Sequence, residues 1–315
     1  NASPKISSQL TISSEDVEAI KGRKVLLVLR DRMHPSLKLR TCEFTRNFKV
    51  TAEAVGLEMR FFNADRFNFD RLYSDEERVQ ALKELAAVIA DFRPDAVIFD
   101  QLCSNLSDKR LTPQIYAGAL TKLKEVFNFK LISIYPDAYW PECLWAINYS
   151  AEFVDSVWLL SHLAYSKLEP AAQAKSSVLP FPYVYPRGEI DLDSKDVDTA
   201  FLGTTKRYNF LRSLWLLAME DANIPFELFL TDSQPKPNRL CLSDEEYGAL
   251  MGRIRTCIQF SARDVTTKIL CGRVWESMLV GCVLVEEENI ETKELLIPYL
   301  HYVPFNSLRE LAVAV

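Results

Sequence analysis

The chain has 315 residues, 48% of them hydrophobic and 25% charged, enough to build two compact domains and too many for one small binding module. Its formal net charge of -6 argues against a broad footprint on nucleic acid, which needs a strongly basic surface. Seven cysteines without a C-x-x-C pair cannot form a complete set of internal disulfides, and no apolar run approaches the roughly 20 residues that cross a bilayer, so a soluble chain in a reducing cytoplasm is expected.

From Lys24 apolar runs alternate with amphipathic stretches: KVLLVL, a helix over 43–55 and a strand over 57–63. A helix over 75–92 leads through Arg93-Pro94 into DAVIFD, and a helix over 112–127 leads into KLISIY, 130–135. A short helix opening at Pro141 then precedes DSVWLLS, which starts at Asp155. This repetition predicts a doubly wound, largely parallel sheet covered on both faces, with ligands at the carboxyl ends of its strands.

Closely spaced prolines followed by acidic residues break the rhythm between Leu179 and Asp198. A second alternating unit follows, with a strand over 199–203, a helix over 208–223, a strand over 226–232, a helix start near Ser243 and a strand over 255–260. The expected organisation is therefore a first domain over 1–187, a linker over 188–198 and a second domain over 199–315. Val315 falls inside a helical pattern, so the second domain is expected to lack its final C-terminal helix.

The stretch CGRVWESMLVGCVLVEEEN, 271–289, carries the most chemistry. At about 100° per residue, Gly272, Arg273 and Glu276 share one helix face, while Leu270, Cys271, Val274 and Met278 occupy the other. A guanidinium suits phosphate oxygens, a carboxylate accepts from ribose hydroxyls, and glycine permits close approach. A nucleoside diphosphate presents both partners. The plain alternative is an i,i+3 ion pair on a solvated helix.

Arg273, Glu276, Gly281, the strand 282–285, and Glu286 and Glu287 at its end resemble the second domain of glycosyltransferases with the two-lobed B fold, most closely the spore-maturation-like group. The resemblance covers roughly 198–311 well and the first half loosely. It implies two Rossmann-like α/β domains facing across a cleft, the first on the acceptor side and the second binding a UDP- or GDP-linked sugar, with no cofactor and no metal. It also implies a glycan or other glycoconjugate as acceptor. Many retaining relatives have another Glu eight residues before the ribose-binding one, where this chain has Lys268.

Further donor-side candidates lie in two turns. The turn GTTKR after the strand ending at Gly203 offers Thr204, Thr205, Lys206 and Arg207 to a phosphate, or simply caps a surface helix. The loop FSARDVTTK presents Ser261, Arg263, Thr266, Thr267 and Lys268 ahead of the Arg273 helix. Lys268 suits a phosphate or an acidic sugar, and Glu286 and Glu287 suit donor hydroxyls.

In the first domain, YPDAYWPE follows a strand, which makes Asp137 the leading candidate for a base that accepts an acceptor hydroxyl proton. The resemblance supports the same residue. Tyr139 and Trp140 offer rings to a sugar face, Asp100 and Gln101 end another strand, and Asp31, Arg32 and His34 follow the first one. Asp137, Arg273 and Lys268 are thus the catalytic candidates, and Asp100, Tyr139, Trp140 and His34 the acceptor-binding ones.

No Walker loop, dinucleotide glycine fingerprint, zinc-protease helix or nucleophile elbow occurs, and the three histidines are widely separated. The D-x-D strings at Asp191 and Asp196 fall in the connection and read as chance. The doubled alternating pattern, Arg273 and Glu276 and the resemblance together point to a metal-independent sugar transfer; retention is preferred, and Asp137 acting as base would favour inversion instead. A non-catalytic nucleotide-binding scaffold and a sugar-nucleotide epimerase stand as alternatives. Basic and aromatic residues over 60–71 add an expectation of peripheral contact at the inner membrane surface.

Overall fold

A computed structural model describes residues 13–31, 43–68, 73–100, 112–136, 138, 141–179, 190–203, 210–230, 244–262 and 267–315. The chain divides into two compact units, the described residues up to 179 forming the first and those from 190 onward the second.

The first unit opens with α1 (Ser14–Ile20), set by a capping box between Ser13 and Asp16, and continues into β1 (Lys24–Leu29). Then come α2 (Glu43–Ala54), β2 (Glu58–Asn63), α3 (Asp65–Asn68), α4 (Asp75–Phe92), β3 (Ala96–Asp100), α5 (Thr112–Phe127), β4 (Lys130–Tyr135) and α6 (Pro141–Ser150). The unit closes with β5 (Ser156–Leu159), α7 (His162–Ser166), α8 (Pro170–Lys175) and β6 (Ser176–Val178). Helix α4 shows how local chemistry sets boundaries: Ser74 and Glu77 satisfy each other's backbone N–H groups at its start, and Arg93 ends it in the left-handed region before Pro94.

All six strands are parallel in the order β2-β1-β3-β4-β5-β6. Strand β1 is buried on both faces, which its unbroken apolar run requires, whereas the edge strand β2 is mostly exposed or half-buried. Leu26, Leu85, Ile89, Val97 and Leu131 lie in the core between the sheet and its helices.

The second unit repeats the plan with β7 (Val197–Gly203), α9 (Phe210–Asp221), β8 (Glu227–Leu230), α10 (Asp244–Arg253), β9 (Ile254–Gln259), α11 (Gly272–Leu279), β10 (Val283–Glu287), α12 (Ile290–Leu295), β11 (Val303–Phe305) and α13 (Leu308–Ala314). Its strand order is β11-β10-β9-β7-β8, again parallel throughout. Period-two alternation along β7 sends Phe201 to a core with Ile258, Phe260 and Phe305, and sends Ala200 and Leu202 to the opposite one with Cys257 and Met251. In each sheet the winding direction reverses beside the first strand, between β1 and β3 and between β7 and β9. Doubly wound sheets bind their ligands outside the carboxyl strand ends at such reversals.

From Ile190 onward, the expected connection packs on the second unit. Lys195 is buried, its Nζ donating to the carbonyls of Gly252 (3.0 Å), Ile254 (2.8 Å) and Val280 (2.9 Å). At the turn from α11 to β10, Gly281 has φ +68, and Ile190 fills the space where a β-carbon would stand. Asp191 accepts backbone N–H groups from Asp193 and Ser194, and Asp196 pairs with Arg253, so both D-x-D strings have local structural partners.

Candidate functional site

Gly203 ends β7 beside the winding reversal of the second sheet, and α11 lies next to it. A β-carbon on Gly203 would stand 3.3 Å from Arg273 Nη1 and 2.8 Å from Phe201 Cζ. Only glycine leaves room there for the guanidinium over a strand packed on its own phenylalanine.

Arg273 is itself held. Its Nε lies 3.5 Å from Glu276 Oε2, and its guanidinium carbon lies 6.0 Å from the Tyr247 ring. The Tyr247 hydroxyl donates to the same Glu276 oxygen at 2.7 Å. Glu276 is 3% exposed, so the i,i+3 pair belongs to the interior of the unit and not to a solvated helix face. Tyr247 on α10 was not legible from sequence, because nothing in DEEYGALMGR distinguishes it from an ordinary core tyrosine.

A second polar group surrounds the carboxyl end of β10. Glu286 accepts from Ser261 Oγ at 2.6 Å, and Glu287 accepts from the Ala262 N–H at 3.1 Å and from Lys268 Nζ at 3.1 Å. Lys268 also donates to the Glu288 carbonyl at 2.9 Å. Glu291, on α12, accepts from the Leu270 N–H at 2.8 Å. Burial, opposed by the Ser261 hydrogen bond and reinforced by the neighbouring Glu287 charge, pushes the Glu286 carboxyl up to about 7. Tyr302, facing the same carboxyl, is likewise pushed up to about 12 by burial.

At the reversal of the first sheet, Arg30 Nε meets Asp100 Oδ2 at 2.6 Å, and Asp100 is 2% exposed. The Thr45 hydroxyl donates to the Arg30 carbonyl, and Asp65 accepts from the Asp31 N–H at 3.0 Å, which ties the ends of β1, β2 and α2 together. Arg30 was not among the sequence candidates. A lone arginine after a strand gives no sign of a carboxylate 70 residues away.

The described residues thus bring Gly203, Arg273 and Glu276 into one group, gather Lys268, Glu286 and Glu287 into another, and place Asp100 in the first unit. Thr267 lies beside Lys268 in the approach to α11. Asp137, Tyr139, Trp140, His34, Arg32, Gln101, Thr204, Thr205, Lys206, Arg207, Arg263 and Thr266 lie outside the described residues. His301 accepts the Ile297 N–H in a turn, and among the described residues no group of His, Cys, Asp and Glu is arranged to hold a metal ion. No helix among them is long and apolar enough to cross a membrane.

The sequence matches no protein-family model and no curated protein. Among solved structures, the chain is similar to HepE from Anabaena, solved in complex with UDP-glucose: the TM-score is 0.50 at 9% identity, over 92% of this chain and 88% of that one. It is also similar to the UDP-GlcNAc 2-epimerase of Methanocaldococcus jannaschii, solved with UDP-GlcNAc and UDP (TM-score 0.45, 13% identity, 92% and 91% of the two chains). A third is the glycosyltransferase SnogD from Streptomyces nogalater (TM-score 0.36, 14% identity, 87% and 84%). The likeness to HepE spans both units and shows the fold: two Rossmann-like α/β domains in one chain, the make-up of the B-type architecture.

Proposed function

We propose that this chain is a glycosyltransferase that moves a sugar from a nucleoside-diphosphate donor bound by its second unit to a glycan or other glycoconjugate. The observation that carries the reading is the seating of Arg273 over Gly203 at the winding reversal of the second sheet, with Glu276 one helical turn away. In this reading Arg273 meets the diphosphate, and Glu276, oriented by the Tyr247 hydroxyl, accepts from a ribose hydroxyl. HepE, which shares the fold, was solved with UDP-glucose, so UDP-linked sugars are the first donors to test and GDP-linked ones the second.

Breaking the sugar C1–O bond leaves an oxocarbenium-like sugar and negative charge on the departing diphosphate. A fixed guanidinium beside that charge does the work that a divalent cation does elsewhere, which is the basis for proposing metal-independent transfer. Retention follows if a donor phosphate oxygen takes the acceptor's proton; Asp137 acting as base gives inversion instead. Retention is the outcome we propose, with Asp100 on the acceptor side.

Arg273→Ala and Glu276→Ala, each shown folded by circular dichroism, test the assignment. Both should lose most donor binding and turnover, and normal binding and turnover in either would remove the proposed donor site. Conversion of the donor without any acceptor would instead mark an epimerase. Binding without transfer or donor hydrolysis across a broad acceptor panel would mark a nucleotide-binding scaffold.

A further inference from the structure

The loop between β9 and α11 delivers the chain to Arg273, and its described ends are tied together. Ala262 and Lys268 face each other across an antiparallel bridge, and the Ile269 N–H donates to the Ser261 carbonyl at 3.2 Å. Carboxylates from the corner between β10 and α12 then reach both ends of the loop. Glu286 takes the Ser261 hydroxyl (2.6 Å), Glu287 takes the Ala262 N–H (3.1 Å) and the Lys268 ammonium (3.1 Å), and Glu291 takes the Leu270 N–H (2.8 Å).

These carboxylates are 0%, 5% and 3% exposed, within a run of six residues. Burying like charges so close together opposes folding, and apolar side chains of similar volume fill such space at no disadvantage. What apolar residues cannot do is fix a loop through directed hydrogen bonds at both of its ends. Lys268, at the position where relatives of the resembling family carry a carboxylate, has its ammonium engaged by Glu287 and by the Glu288 carbonyl.

We infer that Glu287 and Glu291, with Glu286 beside them, are positioning residues for the diphosphate half of the donor site: they hold Ser261 and Ala262 after β9 and Lys268 and Leu270 before α11, and so set where α11 presents Arg273. Lys268 acts through this latch by neutralising Glu287. The inference rests on the proposed donor role of the second unit.

The test is calorimetric binding of UDP and of uridine, with GDP and guanosine as parallel arms, to the intact chain and to Glu287→Gln, Glu291→Gln, Lys268→Met and the Glu287→Gln/Lys268→Met double variant. Glu287→Gln and Glu291→Gln should each weaken diphosphate binding about tenfold and nucleoside binding, which rests on Glu276 of the same helix, severalfold less. A general loss of structure would weaken both alike. The double variant should bind the diphosphate no more weakly than Lys268→Met alone, because both changes open one latch. Additive losses would mean that Lys268 touches the phosphates directly, and diphosphate binding unchanged in Glu287→Gln and Glu291→Gln would mean that the carboxylates do not position the site; either result overturns the inference. Should a glutamine variant fail to fold, Lys268→Met, whose side chain is 34% exposed, opens the latch from the solvent side. If the unaltered chain binds neither diphosphate, the donor assignment itself has failed, a result separable from loss of the latch.

Discussion

Arg273 Nη1 lies 3.3 Å from the point that a β-carbon on residue 203 would occupy, so the absence of a side chain at Gly203 is what seats the guanidinium at the end of β7. Gly203→Ala must displace either Arg273 or the buried Phe201, whose Cζ would stand 2.8 Å from the new carbon. The expected cost is about 1–3 kcal/mol of stability together with weaker nucleotide binding, read by urea unfolding and calorimetry. Full stability with unchanged binding would show that the close approach is dispensable.

Glu286 gives stability a pH dependence of definite sign. Its folded pKa is raised from 4.5 to about 7, so the native chain holds a proton that the unfolded chain has released. The protonated form is accommodated fully below about pH 4.5; stability then falls as pH rises toward about 7, and this contribution is flat above that. The span corresponds to a loss on the order of 3 kcal/mol. Lys268, Glu287 and Tyr302 are the neighbouring ionisable groups, and Glu286→Gln keeps an oxygen for the Ser261 hydroxyl while removing the proton exchange. Unfolding curves between about pH 5 and pH 8 should show a shallower decline in the variant, with the variant the more stable of the two at the upper end.

Lys195 holds three backbone carbonyls from separate segments inside the second unit. Lys195→Met fills the volume but leaves those oxygens without their cation. A loss of about 2–4 kcal/mol is expected, measured by urea unfolding. Burial also pushes the adjoining Cys282 thiol up to about 12 against the lowering effect of Lys195, so the unaltered chain should react slowly there with alkylating reagents and the variant, which lacks that cation, more slowly still.

In the first unit, Arg30→Met strips the partner from a carboxylate that is 2% exposed. It should destabilise that unit by about 3–5 kcal/mol, whereas Asp100→Asn, which keeps an acceptor for Arg30, should cost less. Thermal unfolding followed through Trp158, packed edge-on against Phe48 in this unit, distinguishes the two.

The strands that frame the first reversal were legible because a buried parallel strand needs an unbroken apolar run, and KVLLVL and AVIFD supply one. Short edge strands were not: β6 is Ser-Ser-Val and β11 is Val-Pro-Phe, and only pairing with a neighbour makes either a strand. The Arg273–Glu276 spacing was readable as one helix face, but its burial depends on Tyr247 and Gly203, which come from distant segments. The resemblance puts Glu286 and Glu287 at the end of a strand over 282–285; β10 runs from Val283 through both, with the loop after β9 supplying donors to their carboxylates. Lys195 reads as polar connector, its carbonyl partners being backbone and therefore invisible to residue identity.

The space left by Gly281 ties two distant stretches of chain together mechanically. Ile190 occupies it, so the turn that follows the helix bearing Arg273 packs on a side chain at the start of the second unit. Gly281→Ala would have to expel Ile190 from that space, so this one contact holds the turn after α11 to the first described residue of the second unit.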